Sequence, residues 1–353
     1  MSDLLQRLLA ERPYLVADGA TGTNLFQAGL ATGEAPEVWN FEHPERIEAL
    51  HQSMVDAGAD IILTNSFGGS RHRLKLHKWQ DRVRDVNMRA AQLARNVADR
   101  AGRPVVVAGS MGPTGELFQP LGALTYEEGV EAFTEQAKAL AEGGVDLLWI
   151  ETMSAKEEVS AAVAGAQAAG LPYVSTVSFD TNGRSMMGVT PAEHARLCHS
   201  FSPRPLAIGA NCGVGAAELV VGLLNMTTAT NPDEVIVAKG NCGIPYYLDG
   251  QIRYDGTPEL MADYARLARD VGARIIGGCC GTSPAHLAAI KRALEMHRPG
   301  TRPTAEEIVA RLGPVSNGAM QQASGLQPPE EGAEGGRRRN RRRREGASES
   351  GAF

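Results

Sequence analysis

Short runs of β-branched and other apolar residues recur along the chain at 14–17, 60–64, 104–108, 145–150, 172–178, 205–208, 234–238 and 273–276. Between them lie longer stretches with apolar residues at helical spacing, or rich in Ala, at 44–57, 126–142, 155–169, 191–199 and 258–271, and another at 284–296 follows the eighth run. Several of these stretches open with Thr or Ser followed by Pro, residues that favour a helix N-cap and first turn. The period thus alternates between strand and helix, which predicts repeated βα units. Runs that are apolar almost throughout read as strands buried on both faces, as parallel strands are. Eight βα units in about 300 residues predict a closed (β/α)8 TIM barrel ahead of an open doubly wound sheet, which usually has fewer strands or splits into domains.

Composition narrows the class. With 353 residues, 43% of them apolar, the chain can bury a large core. No window approaches the run of about twenty apolar residues that spans a bilayer, and Asp3 and Glu11 stand where a signal peptide would be basic, then apolar. The expectation is a cytoplasmic protein with no membrane partner. The net charge of −6 is unevenly spread: residues 313–353 hold seven Arg against five Glu, which leaves −8 on residues 1–312. A negative body argues against nucleic acid as the main ligand. The last segment is Gly, Pro, Gln, Ser and Arg with almost no large apolar residue, so a barrel over 1–312 and a disordered Arg-rich tail over 313–353 are predicted. Deleting that tail should then leave turnover unchanged. Nothing in the composition bars a homo-oligomer.

In a barrel the functional groups follow the strands, and here the strand ends are rich in chemistry. They read DGATGT (18–23), NSFGG (65–69), GSMGPT (109–114), Glu151-Thr152, Phe179-Asp180, GANCG (209–213), KGNCG (239–243) and GGCCG (277–281). Four of the five cysteines lie there. Five thiols cannot all pair, and a chain of this size needs no disulfides, so thiols kept for chemistry are the better reading. Three thiolates plus an open position make a catalytic zinc site, and the absence of a C-x2-C pair argues against a structural zinc ribbon. Spacing alone leaves two other readings open, namely buried cysteines as small apolar filler and a vicinal Cys279–Cys280 disulfide. Cys242 is an ambiguous fourth candidate, whereas Cys198 lies mid-helix and reads as core.

GANCG and GGCCG, together with DGATGT, DIILTNSF (60–67) and WIET (149–152), resemble the homocysteine S-methyltransferase family over roughly residues 10–298. That family includes betaine–homocysteine methyltransferases, enzymes that use S-methylmethionine, and the homocysteine module of cobalamin-dependent methionine synthase; bacterial betaine–homocysteine methyltransferases look nearest. The resemblance implies Zn2+ on Cys212, Cys279 and Cys280, with Cys242 outside the ligand set. It also implies that Asp18, Gly19 and Glu151 hold homocysteine, and Thr21 and Ser66, at the same strand ends, complete the expected substrate site. A free thiol is mostly protonated at neutral pH, and zinc coordination deprotonates it, so the substrate becomes its own nucleophile. Glu151 and Asp18 can accept from the ammonium of homocysteine, while the Gly19–Thr23 backbone and the Ser66 hydroxyl can donate to its carboxylate.

The partner of homocysteine is a small donor with an activated methyl group. A cationic donor favours an aromatic box, and Phe26, Trp39, Phe67, Trp149, Phe179 and Tyr246 lie near strand ends. Betaine is the first candidate, although Gly68 and Thr152 stand where animal betaine enzymes carry tyrosines. The alternatives are S-methylmethionine or another sulfonium, and a corrinoid on a separate protein, since the chain is too short to hold that module. Two other classes remain: a phosphate-binding barrel enzyme using the GGCCGTSP loop, and a non-catalytic protein recruiting partners through its Arg tail.

Overall fold

The chain was analysed as a computed structural model, which describes residues 3–248 and 251–325. Eight parallel strands form the barrel: β1 (Leu15–Val16), β2 (Ile61–Leu63), β3 (Val106–Met111), β4 (Leu147–Met153), β5 (Tyr173–Val177), β6 (Ala207–Cys212), β7 (Ile236–Gly240) and, after an antiparallel hairpin of β8 (Pro245–Leu248) and β9 (Gln251–Tyr254), β10 (Ala273–Gly278). Hydrogen-bonded order is β1-β10-β7-β6-β5-β4-β3-β2, and a parallel bridge between Ala17 and Ile61 joins the two ends. The Asp60 amide donates to Val16 at 2.7 Å and the Asp18 amide to Ile61 at 2.9 Å across that seam. The fold is therefore a TIM barrel, and the doubly wound sheet is excluded.

Alternation along the strands sorts the core into two layers. Leu15, Ile61, Leu63, Val106, Leu147, Trp149, Val174, Val237 and Ile275 point inward, where the N-terminal helix Leu4–Glu11 adds Leu5, Leu8 and Leu9 to the same cluster. Val16, Ile62, Val107, Leu148 and Ile208 point outward against the helices. The helices 126–142, 191–199, 258–271 and 284–296 begin and end as predicted. Their starts are fixed locally: Thr125 and Thr190 form capping boxes with Glu128 and Glu193, and Pro occupies the first turn after Thr190, Thr257 and Ser283. None of the described helices is long and apolar enough to cross a membrane.

The structure describes residues 313–325, beyond the expected boundary at 312. After the helix Ala305–Leu312 the chain continues into Asn317–Ala323, whose Gly318, Ala319 and Gln322 are buried, and this segment packs along the helix Ala216–Met226. Its contact residues are small, so composition does not reveal it. The Arg cluster assigned to the tail lies outside the described residues.

Candidate active site at the barrel mouth

Two of the eight strand ends bring three cysteine sulfurs together. Cys212 closes β6, and Cys279 and Cys280 follow β10; their sulfur atoms all lie within 4.8 Å of one another. Cys212 Sγ is 3.0 Å from Cys279 Sγ and 3.7 Å from Cys280 Sγ. Three sulfurs around one zinc ion, at about 2.3 Å each, would sit about 3.8 Å apart, so the second pair already fits and the first needs to open by less than about 1 Å.

The backbone enforces the cluster. Cys212 has φ 59° and Gly213 φ 78°, a left-handed turn that rotates the cysteine toward β10. The Cys279 amide donates to Gly240 at 2.8 Å, and the Cys280 amide donates to Asn241 Oδ1 at 3.0 Å. Asn241 Nδ2 in turn donates to Gly213 at 2.6 Å, so the end of β7 clasps both cysteine turns. Gly281 has φ 80°, and a Cβ there would lie 2.4 Å from the Tyr254 ring; glycine lets that tyrosine cover the turn. The Tyr254 side chain thereby lies beside Cys280.

The electrostatics are those of a cation site. Hydrogen bonding from Cys212 and then Cys279 holds Cys280 well below an ordinary thiol. Cys212 is pushed well above it by hydrogen bonding with Cys279 and Cys280, then by burial. For Cys279 the hydrogen bond from Cys212 works downward, but Cys280 and burial outweigh it and raise the thiol to about 12. Three sulfurs this close do not all ionise without a cation between them, and the soft donor set suits zinc. Cys242 stays outside: it is buried, its thiol donates to Gly256 at 3.3 Å, and burial raises it to about 12. Cys198 is core, 3.6 Å from the ring of an equally buried His194.

Beside the sulfurs lie the predicted carboxylates, arranged around a lysine that the sequence reading missed. Lys239, at the end of β7 and 2% exposed, donates to Asp18 Oδ1 at 2.6 Å and to the Asp18 carbonyl at 3.1 Å. Asp18 Oδ2 accepts from the Leu63 amide at 2.7 Å, so both its oxygens serve the chain, one closing the barrel seam. Burial disfavours the Lys239 ammonium, but Asp18 and then Glu151 outweigh it and raise its pKa. Glu151, 7% exposed, accepts from the Ser110 hydroxyl at 2.5 Å. Burial first and Cys279 second raise it to about 7, against the pull of Lys239.

The remaining predicted residues, Ser66, Gly19 and Thr21, follow β2 and β1. Ser66 is buried, its hydroxyl donating to Ser110 at 2.8 Å and lying 2.6 Å from Thr64 Oγ1, so it shapes the floor beneath Glu151. Gly19 packs so closely that a Cβ would come within 2.6 Å of the Thr282 carbonyl, and Thr21 heads the short helix Gly22–Gln27. Asn211, also missed, accepts from Thr152 N at 2.8 Å and Thr176 Oγ1 at 2.7 Å and donates to Thr152 Oγ1 at 2.7 Å. It thereby holds Thr152 at φ 62° after Glu151. Asn211 precedes a candidate ligand, and Lys239 ends an apolar run; both placements were the available signals.

The other predicted features separate. Trp39 is buried beneath Arg46, and Trp149 fills the barrel below Lys239, so neither can wall an open box; Phe179 is buried, while Phe26, Phe67 and Tyr246 are exposed. At the GGCCGTSP loop, His286 Nδ1 accepts from the Ser283 amide at 3.2 Å, which uses a helix-start donor that a phosphate would need.

A parallel barrel that gathers three thiols at its mouth, beside a buried carboxylate, belongs to the class of thiolate-site TIM-barrel enzymes. Comparison with known proteins makes this specific: the sequence profile described as homocysteine S-methyltransferase matches residues 15–294, and the chain belongs to that family. It is 32% identical over 330 residues to a methionine synthase of Mycobacterium tuberculosis and 31% identical over 334 residues to that of Mycobacterium leprae. These alignments cover 88% and 90% of the chain but only 27% of each relative, so the chain spans about a quarter of their length. The fold also matches the metallated form of the homocysteine methyltransferase MmuM from Escherichia coli, with TM-score 0.69, 24% identity, and coverage of 82% of this chain and 99% of that one.

Proposed function

We propose that the protein transfers a methyl group from an onium donor to homocysteine, giving methionine, with zinc held by Cys212, Cys279 and Cys280. The observation that carries this reading is the convergence of three sulfurs within 4.8 Å beside the buried Glu151. Zinc at these thiolates would supply a deprotonated, electron-rich homocysteine sulfur at neutral pH. The chain's residues do the rest. Glu151 receives the homocysteine ammonium, and the Ser110 hydroxyl at 2.5 Å fixes its orientation. Asp18 holds the Lys239 ammonium in place, and that ammonium favours the ionised Glu151 carboxylate against the opposing effects of burial, Cys279 and, more weakly, Asp18. The Gly19–Thr23 turn offers backbone amides to the substrate carboxylate. In the transfer, a bond forms between homocysteine sulfur and the methyl carbon as the bond from that carbon to the donor heteroatom breaks; the donor keeps the electron pair and leaves neutral at that atom.

Betaine is the first donor to test, with S-methylmethionine next. A second reading has its own observation: Phe26, Phe67, Leu117, Met186, Val214 and Tyr246 are all exposed on segments that follow barrel strands. An apolar rim around the mouth suits a methyl donor carried on a separate protein, such as a methyl-corrinoid carrier, and the likeness to one quarter of methionine synthases fits that arrangement. A donor screen decides. Purified protein with homocysteine should form methionine from betaine, S-methylmethionine, dimethylsulfoniopropionate or a methylated corrinoid protein; methionine from none of them would refute the methyl-transfer reading.

A further inference from the structure

We infer that the segment after Leu312 is a positioning element of the cysteine site, holding the Cys212 turn in its left-handed conformation. Two contacts reach that turn from the helix Asn317–Ala323. First, Ser316, its N-cap, donates its amide to Glu218 Oε2 at 2.8 Å and its hydroxyl to Glu218 Oε1. Glu218 is 4% exposed and is the third residue of the helix Ala216–Met226, whose N-cap Gly215 stands three residues beyond Cys212. A glutamate at that position ordinarily turns back to its own N-cap; here it is given to the C-terminal segment.

The second contact runs through the loop after β5. The Gly318 amide donates to Asn182 Oδ1 at 2.7 Å, and a Cβ at Gly183 would lie 2.7 Å from Ala319 Cα. That loop meets the cysteine turn directly, since a Cβ at Gly213 would touch the Phe179 carbonyl at 3.4 Å. A non-glycine residue at φ 59° persists only where its surroundings over-determine it, and both routes supply that constraint to Cys212. Ser316 and Glu218 are thus positioning residues, and the functional unit extends to residue 325, beyond the boundary read from composition.

The test compares the full chain, a chain ending at residue 325, a chain ending at residue 312, and Ser316→Ala, a mild change should the shorter truncation fail to fold. Two readouts are taken: amide hydrogen exchange in zinc-free protein, and the rate at which zinc passes to a chromogenic chelator. The chain ending at 325 should match the full chain in both. The chain ending at 312 and Ser316→Ala should exchange faster across 209–218 with β2 to β4 unchanged, and should release zinc roughly ten- to a hundredfold faster, as for loss of outer-shell support. Parent-like exchange at 209–218, or acceleration spread evenly over the barrel, overturns the inference. The zinc arm alone rests on the proposed metal: a parent protein that binds no zinc refutes that reading, while the exchange arm still decides this one.

Discussion

Replacing Glu151 by glutamine separates what this residue does for the fold from what it does for the substrate. The side chain is buried, and its carboxyl is raised from the usual 4.5 to about 7, chiefly by burial. Because the folded-state value lies above the unfolded one, the native protein retains a proton between pH 4.5 and 7 that the unfolded chain has lost. The stability tied to that proton is therefore present at low pH and disappears as pH rises through this window. The shift corresponds to about 3 kcal/mol at roughly 1.4 kcal/mol per unit. Glutamine can still accept from Ser110 but carries no charge to bury. In metal-free protein, Glu151→Gln should exceed the parent in stability by up to about 3 kcal/mol at pH 8, most of the gap closing by pH 5. The same change should weaken homocysteine binding, because the lost charged hydrogen bond is worth about 1.5–3 kcal/mol, or ten- to a hundredfold. Urea unfolding midpoints at both pH values, with chelator present, and homocysteine titration at pH 8 check the two halves. Equal midpoints at pH 8 would refute the buried-charge argument, and parent-like homocysteine affinity would remove Glu151 from the substrate site.

Other outcomes follow from the same geometry. Cys212→Ala, Cys279→Ala and Cys280→Ala should each lose stoichiometric zinc by metal analysis, while Cys198→Ala and Cys242→Ala keep it; stoichiometric zinc in the Cys279/Cys280 double alanine variant would sink the ligand assignment. Lys239→Met should cost about 3–5 kcal/mol of unfolding free energy by leaving the buried Asp18 carboxylate without its ion-pair partner, and a loss near zero would contradict the buried pair. Homocysteine binding should release about one proton at pH 8 from the thiol, counted by calorimetry in buffers of differing ionisation enthalpy. The count should rise toward about two at pH 6, where Glu151 must also give up a proton to meet the ammonium. A count that stays flat across this range would show that Glu151 does not change state on binding.

The parts of the fold legible in the sequence are those encoded locally. Helices that open with Thr-Pro or Ser-Pro, as at Pro191, Pro258 and Pro284, were placed to the residue because their caps are set by adjacent side chains. The apolar runs located the strands but not their C-terminal ends: β3 continues to Met111 and β6 to Cys212, past the predicted ends at 108 and 208, because pairing there runs on through Gly, Ser and Asn that carry no apolar signal. The three clustered cysteines stood at strand ends, where a barrel gathers its chemistry. What was hidden depends on long-range partners. Lys239 reads as an ordinary surface lysine until the fold brings it to Asp18, 221 positions away, and Tyr254 reaches Cys280 only through the hairpin. The Gly318–Ala319 contact was invisible because close packing there relies on small residues, which composition does not separate from a linker.

The central claim is that the three cysteines hold a zinc ion that takes the homocysteine sulfur. X-ray absorption at the zinc edge tests it most directly, on protein as purified and again with saturating homocysteine. The account predicts about three sulfur neighbours near 2.3 Å in the first spectrum and about four in the second. Unchanged sulfur coordination at saturating homocysteine would contradict it, leaving the barrel and the cysteine cluster intact but the substrate thiol away from the metal.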